Sequence, residues 1–457
     1  MDKLFIFSPH ITPRLEYVVL VCTKHLSHLQ VELTDSSEYF KTLSGIKWSY
    51  GQWFEDAFCI YADGLLWENN ITEQDWYIQD GIIFRSKDDC GRFHAPYDIF
   101  SAIFYLVSRY EEYLPNSLDV HGRIPAREQL LVKLGWHHKA VVHDYWQFLL
   151  EASYNFFGYH LKVQLPAYSS KMSFDIDHPF EFLHKPFLLN LYGFLHDASQ
   201  KKFSNFSRRF FTLRKKVIDR YYTFDYILRK LQEYKKEHIC FILNSRQHPL
   251  DSKHTITHKA YQKLIQKIIK SGGEIGLHAS YLTALPEAHF FLSNTNTDEF
   301  PEYTTQYPFE KLCKEKAELE QYIPHLATKN RQHFLRMKFP YTYQKLMEAG
   351  ILEDYSMGYF DEVGFRAGIA VPYPFFDLTK NTIHTNFMIY PLICMDVSMQ
   401  QYLKYTPEQA IEINKTLIDE VKRVNGYFIS LWHNNNLHNE EEWKGWQAVF
   451  EHQLSYM

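Results

Sequence analysis

The segment 173–179, S-F-D-I-D-H-P, brings two carboxylates and an imidazole together within four residues at the end of a short apolar run. Burying charged groups costs free energy unless they are paired, hydrogen-bonded or bound to a metal. Asp175, Asp177 and His178 therefore indicate a reactive centre or a metal site. Because the segment begins at residue 173, another unit precedes it.

Polar groups also follow two apolar runs farther along the chain. His278 and Ser280 come directly after one run, and the other leads through Leu431 and Trp432 into His433. In parallel α/β folds, reactive groups cluster at the carboxyl ends of the strands. Three such ends on one predicted rim indicate a common site, and this convergence is the main evidence from the sequence.

The elements that must position these groups begin near residue 166, where short buried strands alternate with amphipathic helices. We predict strands at 171–174, 239–243, 274–277, 333–337, 355–357, 388–392 and 427–432. Helices are expected near 224–236, 259–270, 309–322, 341–349 and 407–424. This alternation predicts a parallel barrel or a doubly wound sheet over residues 166–457.

Residues 1–165 are predicted to form a smaller α+β domain, since a chain of 457 residues exceeds the usual size of one domain. Apolar runs at 4–7, 17–22, 31–33 and 81–84 predict strands, and helices are expected over 98–113 and 144–157. The sequence R-Y-E-E-Y at 109–113 predicts a solvated, self-paired helix end.

Composition indicates a globular enzyme, because a hydrophobic share of 46% and a charged share of 23% exclude a disordered chain. A net charge of -5 gives no general attraction to nucleic acid, so no such partner is expected. Six scattered cysteines without a C-x-x-C pair argue against a disulfide scaffold. With no signal peptide and no long apolar segment, the sequence predicts a soluble, cytoplasmic protein.

These motifs resemble those of the polysaccharide deacetylase family, the NodB-homology or carbohydrate esterase family 4 group. The resemblance is to divergent bacterial members with an extra N-terminal domain. The family's F-D-x-D is similar to F-D-I-D at 174–177, and its H-[ST]-x-x-H to H-A-S-Y-L at 278–282. Its R-x-P-[FY] is similar to R-Q-H-F at 331–334, and its leucine-before-histidine motif to L-W-H-N at 431–434. The resemblance covers roughly residues 166–457.

The resemblance implies a deformed (β/α) barrel of about seven parallel strands with one divalent metal. It also implies hydrolysis of an N-linked or O-linked acetyl group on a sugar or polysaccharide precursor. By this resemblance Asp175 is the base and His433 is the acid. Asp177 and His278 are metal ligands. Arg331 holds the base in its ionised form, and Leu431 lines the acetyl pocket.

One family ligand is missing, because Leu282 stands where the second motif has its second histidine. His333 and His178 are the candidates to replace it. Zinc is satisfied by three protein ligands and a water, so we expect zinc on Asp177, His278 and one of these two histidines. Weak binding, or no metal at all, is the alternative.

Two further carboxylates and an arginine are candidates for substrate contact or for support of the catalytic groups. Asp361 and Arg366 lie in a glycine-rich loop, where a structural ion pair between them is the competing interpretation. Asp396, just past the sixth predicted strand, is a candidate to hold His433 in its productive tautomer. A helix cap is the other role open to Asp396.

A basic helical insertion is predicted at about 185–222, where nine lysines and arginines lie between 185 and 220, interleaved with phenylalanines. The stretch predicts peripheral contact with an anionic membrane surface or with a phosphate-bearing glycan carrier. A solvated excursion over the barrel rim is the competing interpretation.

The sequence thus predicts a metal-dependent deacetylase acting on a free, nucleotide-linked or lipid-linked glycan. A catalytically silent barrel that binds glycan is one alternative, and Leu282 favours it. A metal-independent glycosidase using Asp175 and Asp361 is another, which would need these carboxylates about 5 to 9.5 Å apart.

Overall fold

The computed structural model describes residues 3–284 and 308–457. Its N-terminal unit contains a parallel sheet ordered β2-β1-β3-β4 and a small antiparallel hairpin, β5-β6. The strands are β1 (Lys3–Phe7), β2 (Gln30–Thr34), β3 (Ile46–Tyr50), β4 (Phe58–Ile60), β5 (Tyr77–Gln79) and β6 (Ile82–Phe84). The helices are α1 (Pro13–Leu20), α2 (Ser37–Thr42), α3 (Ile99–Val107), α4 (Leu130–Lys133) and α5 (Val141–Phe157).

The apolar run 17–22 lies in α1 and the turn that continues it, so the prediction of a strand there was wrong. The side chain of Thr12 accepts a hydrogen bond from the Leu15 N–H, and Pro13 occupies the first helical position. Both features start a helix, because they satisfy or remove otherwise unpaired N–H groups. The run is continuously apolar because most of this helix is buried.

The C-terminal unit contains a nine-stranded sheet ordered β12-β13-β11-β10-β9-β8-β7-β15-β14. The strands are β7 (Ser169–Ile176), β8 (His238–Leu243), β9 (Glu274–Ala279), β10 (Lys329–Gln332), β11 (Glu353–Met357), β12 (Tyr373–Asp377), β13 (Thr382–Pro391), β14 (Cys394–Met395) and β15 (Tyr427–His433). The helices are α6 (Phe187–Ser199), α7 (Phe203–Leu213), α8 (Phe224–Glu233), α9 (Lys259–Lys270), α10 (Pro308–Glu320), α11 (Tyr341–Glu348), α12 (Pro407–Arg423) and α13 (Trp446–Tyr456).

This sheet curls into a deformed (β/α) barrel, which confirms the predicted fold class. Among the described strands of this sheet, only β12 pairs in the antiparallel direction. Residues 391–395, here called the closing segment, join the two ends of the sheet. The Leu392 N–H donates to the Met357 carbonyl at 2.8 Å, and the Ile393 N–H donates to the Ile429 carbonyl at 3.0 Å. Apolar side chains from β8, β11, β15 and the closing segment pack together in a separate buried cluster.

The strand predicted at 333–337 is displaced, because β10 ends at Gln332 and residues 333–335 form a tight turn. Phe334 takes a positive φ of 63° in that turn, a conformation that ends the strand. The short strand consists of polar residues that find buried partners. Asn330 donates to Asp354 at 2.9 Å, and Arg331 reaches Asp175. A search for apolar runs therefore misses it.

The two units share buried contacts that include an ion network of Arg109, Glu111, Glu112 and Arg366. Arg366 donates twice to Glu112, at 3.0 and 2.6 Å, and Arg109 donates to Glu112 at 2.8 Å. The R-Y-E-E-Y segment is therefore self-paired as expected, but Arg109 is 1% exposed and not solvated. We call these four residues the interdomain ion network.

Within residues 3–284 and 308–457, every helix is too short or too polar to cross a membrane. The six cysteines are all free thiols.

Candidate metal and catalytic centre

Asp175 lies near the carboxyl end of β7, between the neighbouring strands β15 and β8. Its Oδ1 accepts a hydrogen bond from Arg331 Nη1 at 3.0 Å. The Arg331 side chain is fully buried, and its guanidinium carbon lies 4.5 Å from the centre of the Phe241 ring. Buried ions are stable when they are paired, and Arg331 is the partner of the Asp175 carboxylate.

His278, in β9, directs an unpaired nitrogen at the two aspartates. Its Nδ1 lies 2.8 Å from the Arg331 carbonyl oxygen, so Nδ1 carries the proton and donates it there. The other nitrogen, Nε2, lies 3.2 Å from Asp177 Oδ1 and 3.5 Å from Asp175 Oδ2. Among the described residues, neither this Nε2 nor Asp177 Oδ1 has a hydrogen-bond partner, although both are buried.

His333 reaches the same carboxylate from the turn after β10. Its Nε2 lies 3.6 Å from Asp177 Oδ2, and its Nδ1 lies 3.3 Å from Asp251 Oδ1. Burial lowers the pKa of His333, but the charges and hydrogen bonds of Asp177 and Asp251 outweigh burial and raise this pKa to about 9. Burial likewise raises the pKa of Asp177, and His333 and His278 outweigh it, holding that pKa well below its usual range.

One ligand atom each from Asp177, His278 and His333 lies within 4.8 Å of the others. Two imidazoles and a carboxylate suit a zinc ion that keeps an open position. His178, the other candidate for the missing ligand, is not in this group. Burial above all lowers the pKa of His178, to about 4.

His433 lies at the end of β15 and approaches the same oxygen of Asp177 as His333 does. Its Nε2 is 3.7 Å from Asp177 Oδ2, and its Nδ1 is 2.8 Å from Asp396 Oδ1. Asp396 Oδ2 also accepts the His433 backbone N–H at 2.9 Å. Burial lowers the pKa of His433, but Asp396 outweighs that effect and raises the pKa to about 10. His433 is therefore an imidazolium at neutral pH, able to donate a proton.

Asp251, which lies in the loop after β8, belongs to none of the sequence motifs. It is fully buried, accepts the Tyr281 N–H at 3.0 Å and contacts His333. A carboxylate behind a ligating histidine fixes the orientation of the ring and its tautomer. The position of Asp251 after a strand was the available signal, but seven residues separate it from the end of β8, Leu243.

The other candidate residues lie around this centre rather than in it. Leu431 belongs to the buried cluster inside the barrel. Trp432 points outward, where its Nε1 donates to Gln453 at 2.8 Å. The backbone N–H of Ser280 donates to Glu315 at 3.1 Å.

Asp361 and Arg366 both contact the N-terminal unit. Asp361 accepts the Ala126 N–H at 3.1 Å, and Arg366 belongs to the interdomain ion network. The Asp361 carboxylate thus contributes to the contact between the two units.

The N-terminal unit also reaches the loops beside the centre. His121 Nδ1 lies 3.0 Å from the Tyr281 hydroxyl, and Arg336 donates to the His121 carbonyl at 2.7 Å. The guanidinium of Arg336 stacks 3.6 Å above the Tyr281 ring. The two units therefore build one wall of the rim together.

A second group of potential ligands, His137, His138 and Glu362, lies at the contact between the units. Burial lowers the pKa of both histidines, which favours neutral rings. This group matters for any measurement of metal content, since it is a competing place for an ion.

Residues 4–156 match a family model described as a family of unknown function, DUF7033. No curated protein matches the sequence. Among solved structures, one assigned to a polysaccharide deacetylase of Mycobacterium smegmatis is similar at 15% identity, covering 64% of this chain and 84% of that chain, with a TM-score of 0.38.

A structure assigned to a polysaccharide deacetylase of Pseudomonas aeruginosa PAO1 is similar at 14% identity, covering 63% and 84% of the two chains, with a TM-score of 0.37. The structure of Puue allantoinase is similar at 12% identity, covering 62% and 83%, with a TM-score of 0.34. At these TM-scores the similarities add nothing to the strand order and contacts described above.

Proposed function

We propose that this protein is a metal-dependent hydrolase that removes an N-linked or O-linked acetyl group from a sugar or polysaccharide precursor. The observation that carries the proposal is the convergence of His278 Nε2 and His333 Nε2 on Asp177, within 4.8 Å. An unpaired buried nitrogen is costly in a folded protein, and a bound cation would remove that cost.

A divalent ion, with zinc the best match to two imidazoles and a carboxylate, would supply Lewis acidity at the acyl group. Asp177, His278 and His333 would hold it, with Asp251 orienting His333 from behind. His333 would take the place of the family ligand that is replaced by Leu282.

The chain's own residues supply the proton transfers. Asp175, paired with Arg331, would accept the proton of the attacking water. His433, held as an imidazolium by Asp396, would donate a proton to the departing amine or alkoxide. Both groups lie close to Asp177: His433 Nε2 is 3.7 Å from Asp177 Oδ2, and Asp175 and Asp177 both contact His278 Nε2.

Substrate contacts would come from the surrounding apolar groups. Leu431 would line the pocket for the acetyl methyl group, as the resemblance to the deacetylases implies. Both faces of the Tyr281 ring are already covered, by His248 with ring centres 4.3 Å apart and by the Arg336 guanidinium at 3.6 Å. We place the reaction in the cytoplasm, on the evidence of the free cysteines.

The test combines metal analysis with acetate release from N-acetylated and O-acetylated sugars. For Asp177→Ala and His278→Ala we expect loss of one metal equivalent and at least a thousandfold loss of activity, because both would remove a ligand. His138→Ala is the matched control, since it removes a histidine from the second ligand group. It should leave acetate release unchanged.

Full metal content and full turnover in both Asp177→Ala and His278→Ala would contradict the proposal. Metal bound at Asp177 and His278 without any acetate release would instead favour a barrel that only binds glycan. The two outcomes differ because metal content is measured independently of turnover.

A further inference from the structure

The helical hairpin formed by α6 and α7, residues 187–213, is built with its polar groups inside and its apolar groups outside. Its buried side chains are polar: Asn190, Asp197 and Thr212. Its exposed large apolar side chains are Phe187, Leu188, Leu189, Leu191, Tyr192, Leu195, Phe203, Phe206, Phe210 and Phe211. Water-facing helices normally show the opposite arrangement.

The inverted arrangement is a specific fold and not a loose segment. Arg209 donates to Asp197 at 3.0 Å and to Asn190 at 3.3 Å, which ties the two helices together. The rings of Phe194 and Phe206 pack with centres 4.9 Å apart. A paired aspartate and arginine in the hairpin interior leave its apolar side chains for contact with something outside the chain.

The exposed apolar side chains of the hairpin form a group, unlike the single apolar residues that are common on protein surfaces. Phe187, Leu188 and Phe203 are 77%, 74% and 70% exposed. Leu188 and Leu195 are seven residues apart and so share one face of α6. Exposed apolar patches of this kind mark contacts with proteins or membranes.

The charge of the surface selects between these partners. Five basic residues are exposed between 185 and 218, namely Lys201, Lys202, Arg214, Lys215 and Lys216. The one acidic residue in this range, Asp197, is buried against Arg209. A surface that combines apolar side chains with positive charges only is complementary to an anionic bilayer.

The hairpin is anchored beside the catalytic centre at both ends. Asn434, the neighbour of His433, donates to the carbonyl oxygens of His178 at 3.0 Å and of Tyr221 at 2.8 Å. These residues flank the excursion from β7 that contains the hairpin. Arg208 also pairs with Glu440 at 2.6 Å. Docking the hairpin would therefore bring the rim of the barrel to the membrane surface.

A groove of about 360 Å³ continues the same chemistry at the base of the hairpin. Lys215, Lys216, Val217 and Ile218 line it together with Phe180. Asp219 also lines the groove, and because Phe180 is two residues from His178, the groove extends this surface toward the catalytic rim.

We propose that the α6–α7 hairpin docks this protein on an anionic lipid bilayer. Its apolar face enters the interface, and Lys201, Lys202, Arg214, Lys215 and Lys216 contact the headgroups. The substrate is then an acetylated glycan on a lipid carrier, presented to the barrel at the membrane surface. This assignment of the substrate rests on the function proposed above.

The experiment is co-sedimentation of the full chain with phosphatidylcholine vesicles that contain 25% phosphatidylglycerol or none. We expect binding to the anionic vesicles, weakened by salt, with at least a tenfold loss in Leu188→Glu/Leu195→Glu. Reversing Lys215 and Lys216 to glutamate should weaken binding by about fivefold or more for each lysine.

Leu326→Glu/Leu352→Glu is the matched control, because both leucines are exposed but lie outside the hairpin. It should bind like the unchanged chain. Acetate release from a water-soluble sugar, measured in the same variants, should not change. Loss of vesicle binding with intact turnover in the hairpin variant thus separates docking from catalysis.

Absence of vesicle binding by the unchanged chain would overturn the proposal. A homodimer that becomes monomeric in Leu188→Glu/Leu195→Glu, without vesicle binding, would assign the apolar face to a second copy instead. Binding to both kinds of vesicle that ignores salt would overturn the anionic part of the proposal.

Discussion

The interdomain ion network and the candidate metal centre are both buried clusters of opposite charges, but they differ in how completely their polar atoms are satisfied. In the network, both oxygens of Glu112 accept hydrogen bonds from arginine. In the centre, His278 Nε2 and Asp177 Oδ1 face each other without a hydrogen-bond partner among the described residues. Buried charge alone does not mark a reactive site; unsatisfied ligand atoms that converge do so more specifically.

Arg366→Ala tests the interdomain ion network and should have the largest effect. We expect the free energy of unfolding to fall by about 3 kcal/mol, because Glu112 would keep only Arg109 as a partner for its buried charge. Chemical denaturation measures this loss. Metal content should stay unchanged, since Arg366 does not contact the ligand group.

Arg423→Ala is the matched control for that experiment. Arg423 also bridges the two units, through Asp144 at 2.7 Å, and pairs with Glu420 of its own helix at 2.7 Å, but its side chain is 51% exposed. We expect a loss of less than about 1 kcal/mol. Equal losses in the two variants would contradict the structural role that we give to the buried network.

Asp396→Asn tests the candidate catalytic centre, and we expect a smaller effect there. The amide keeps the shape but loses the charge that holds His433 protonated, so kcat should fall about 10-fold to 100-fold with metal retained. Because Asp396 raises the pKa of His433, its loss lowers that pKa. The decline of the rate at high pH should therefore begin at a lower pH, and an unshifted pH profile would argue against His433 as the acid.

The smallest effect concerns the pH dependence of stability through Glu112. Burial raises the pKa of Glu112, but Arg366 and Arg109 outweigh it and hold the folded-state pKa below the ordinary value of 4.5. The stabilisation is therefore complete above that value and is lost as the pH falls through the folded-state pKa.

The stability difference between the unchanged chain and Glu112→Gln should accordingly shrink below about pH 4.5. Denaturation at a series of pH values measures this. Glu348→Gln, which alters a surface pair with Lys345, is the control and should show no such trend. A difference that stays constant down to pH 3 would assign the role of Glu112 to packing rather than charge.

The sequence predicted the barrel well where strands are continuously apolar and buried. The runs that predicted β7, β8, β9 and β15 are rich in buried apolar residues, and their polar ends locate Asp175, His278 and His433. The short strand β10 was displaced because its residues K-N-R-Q are polar and gain their partners only in the folded barrel. Such compensation between distant residues leaves no local pattern.

The same limit explains the residues whose placement was not foreseen. Asp251 reaches His333 across 82 positions in the sequence, and Glu112 reaches Arg366 across 254. Composition at 109–113 predicts a solvated helix end, since no local signal announces the partner that buries it. The α6–α7 hairpin is the opposite case. Its phenylalanines and lysines are evident in the sequence, but the sequence does not indicate which of them face outward.

The closing segment separates the site residues into two groups, according to which parts of the sheet must pair to place them. The ligands Asp177, His278 and His333 come from β7, β9, β10 and their adjoining turns, which all belong to one uninterrupted part of the sheet. Asp396 lies one residue beyond the closing segment, and it meets His433 only when the two edges of the sheet have joined. On the proposed function, the ion ligands therefore depend only on the continuous part of the sheet, whereas the proton donor also depends on the closing segment.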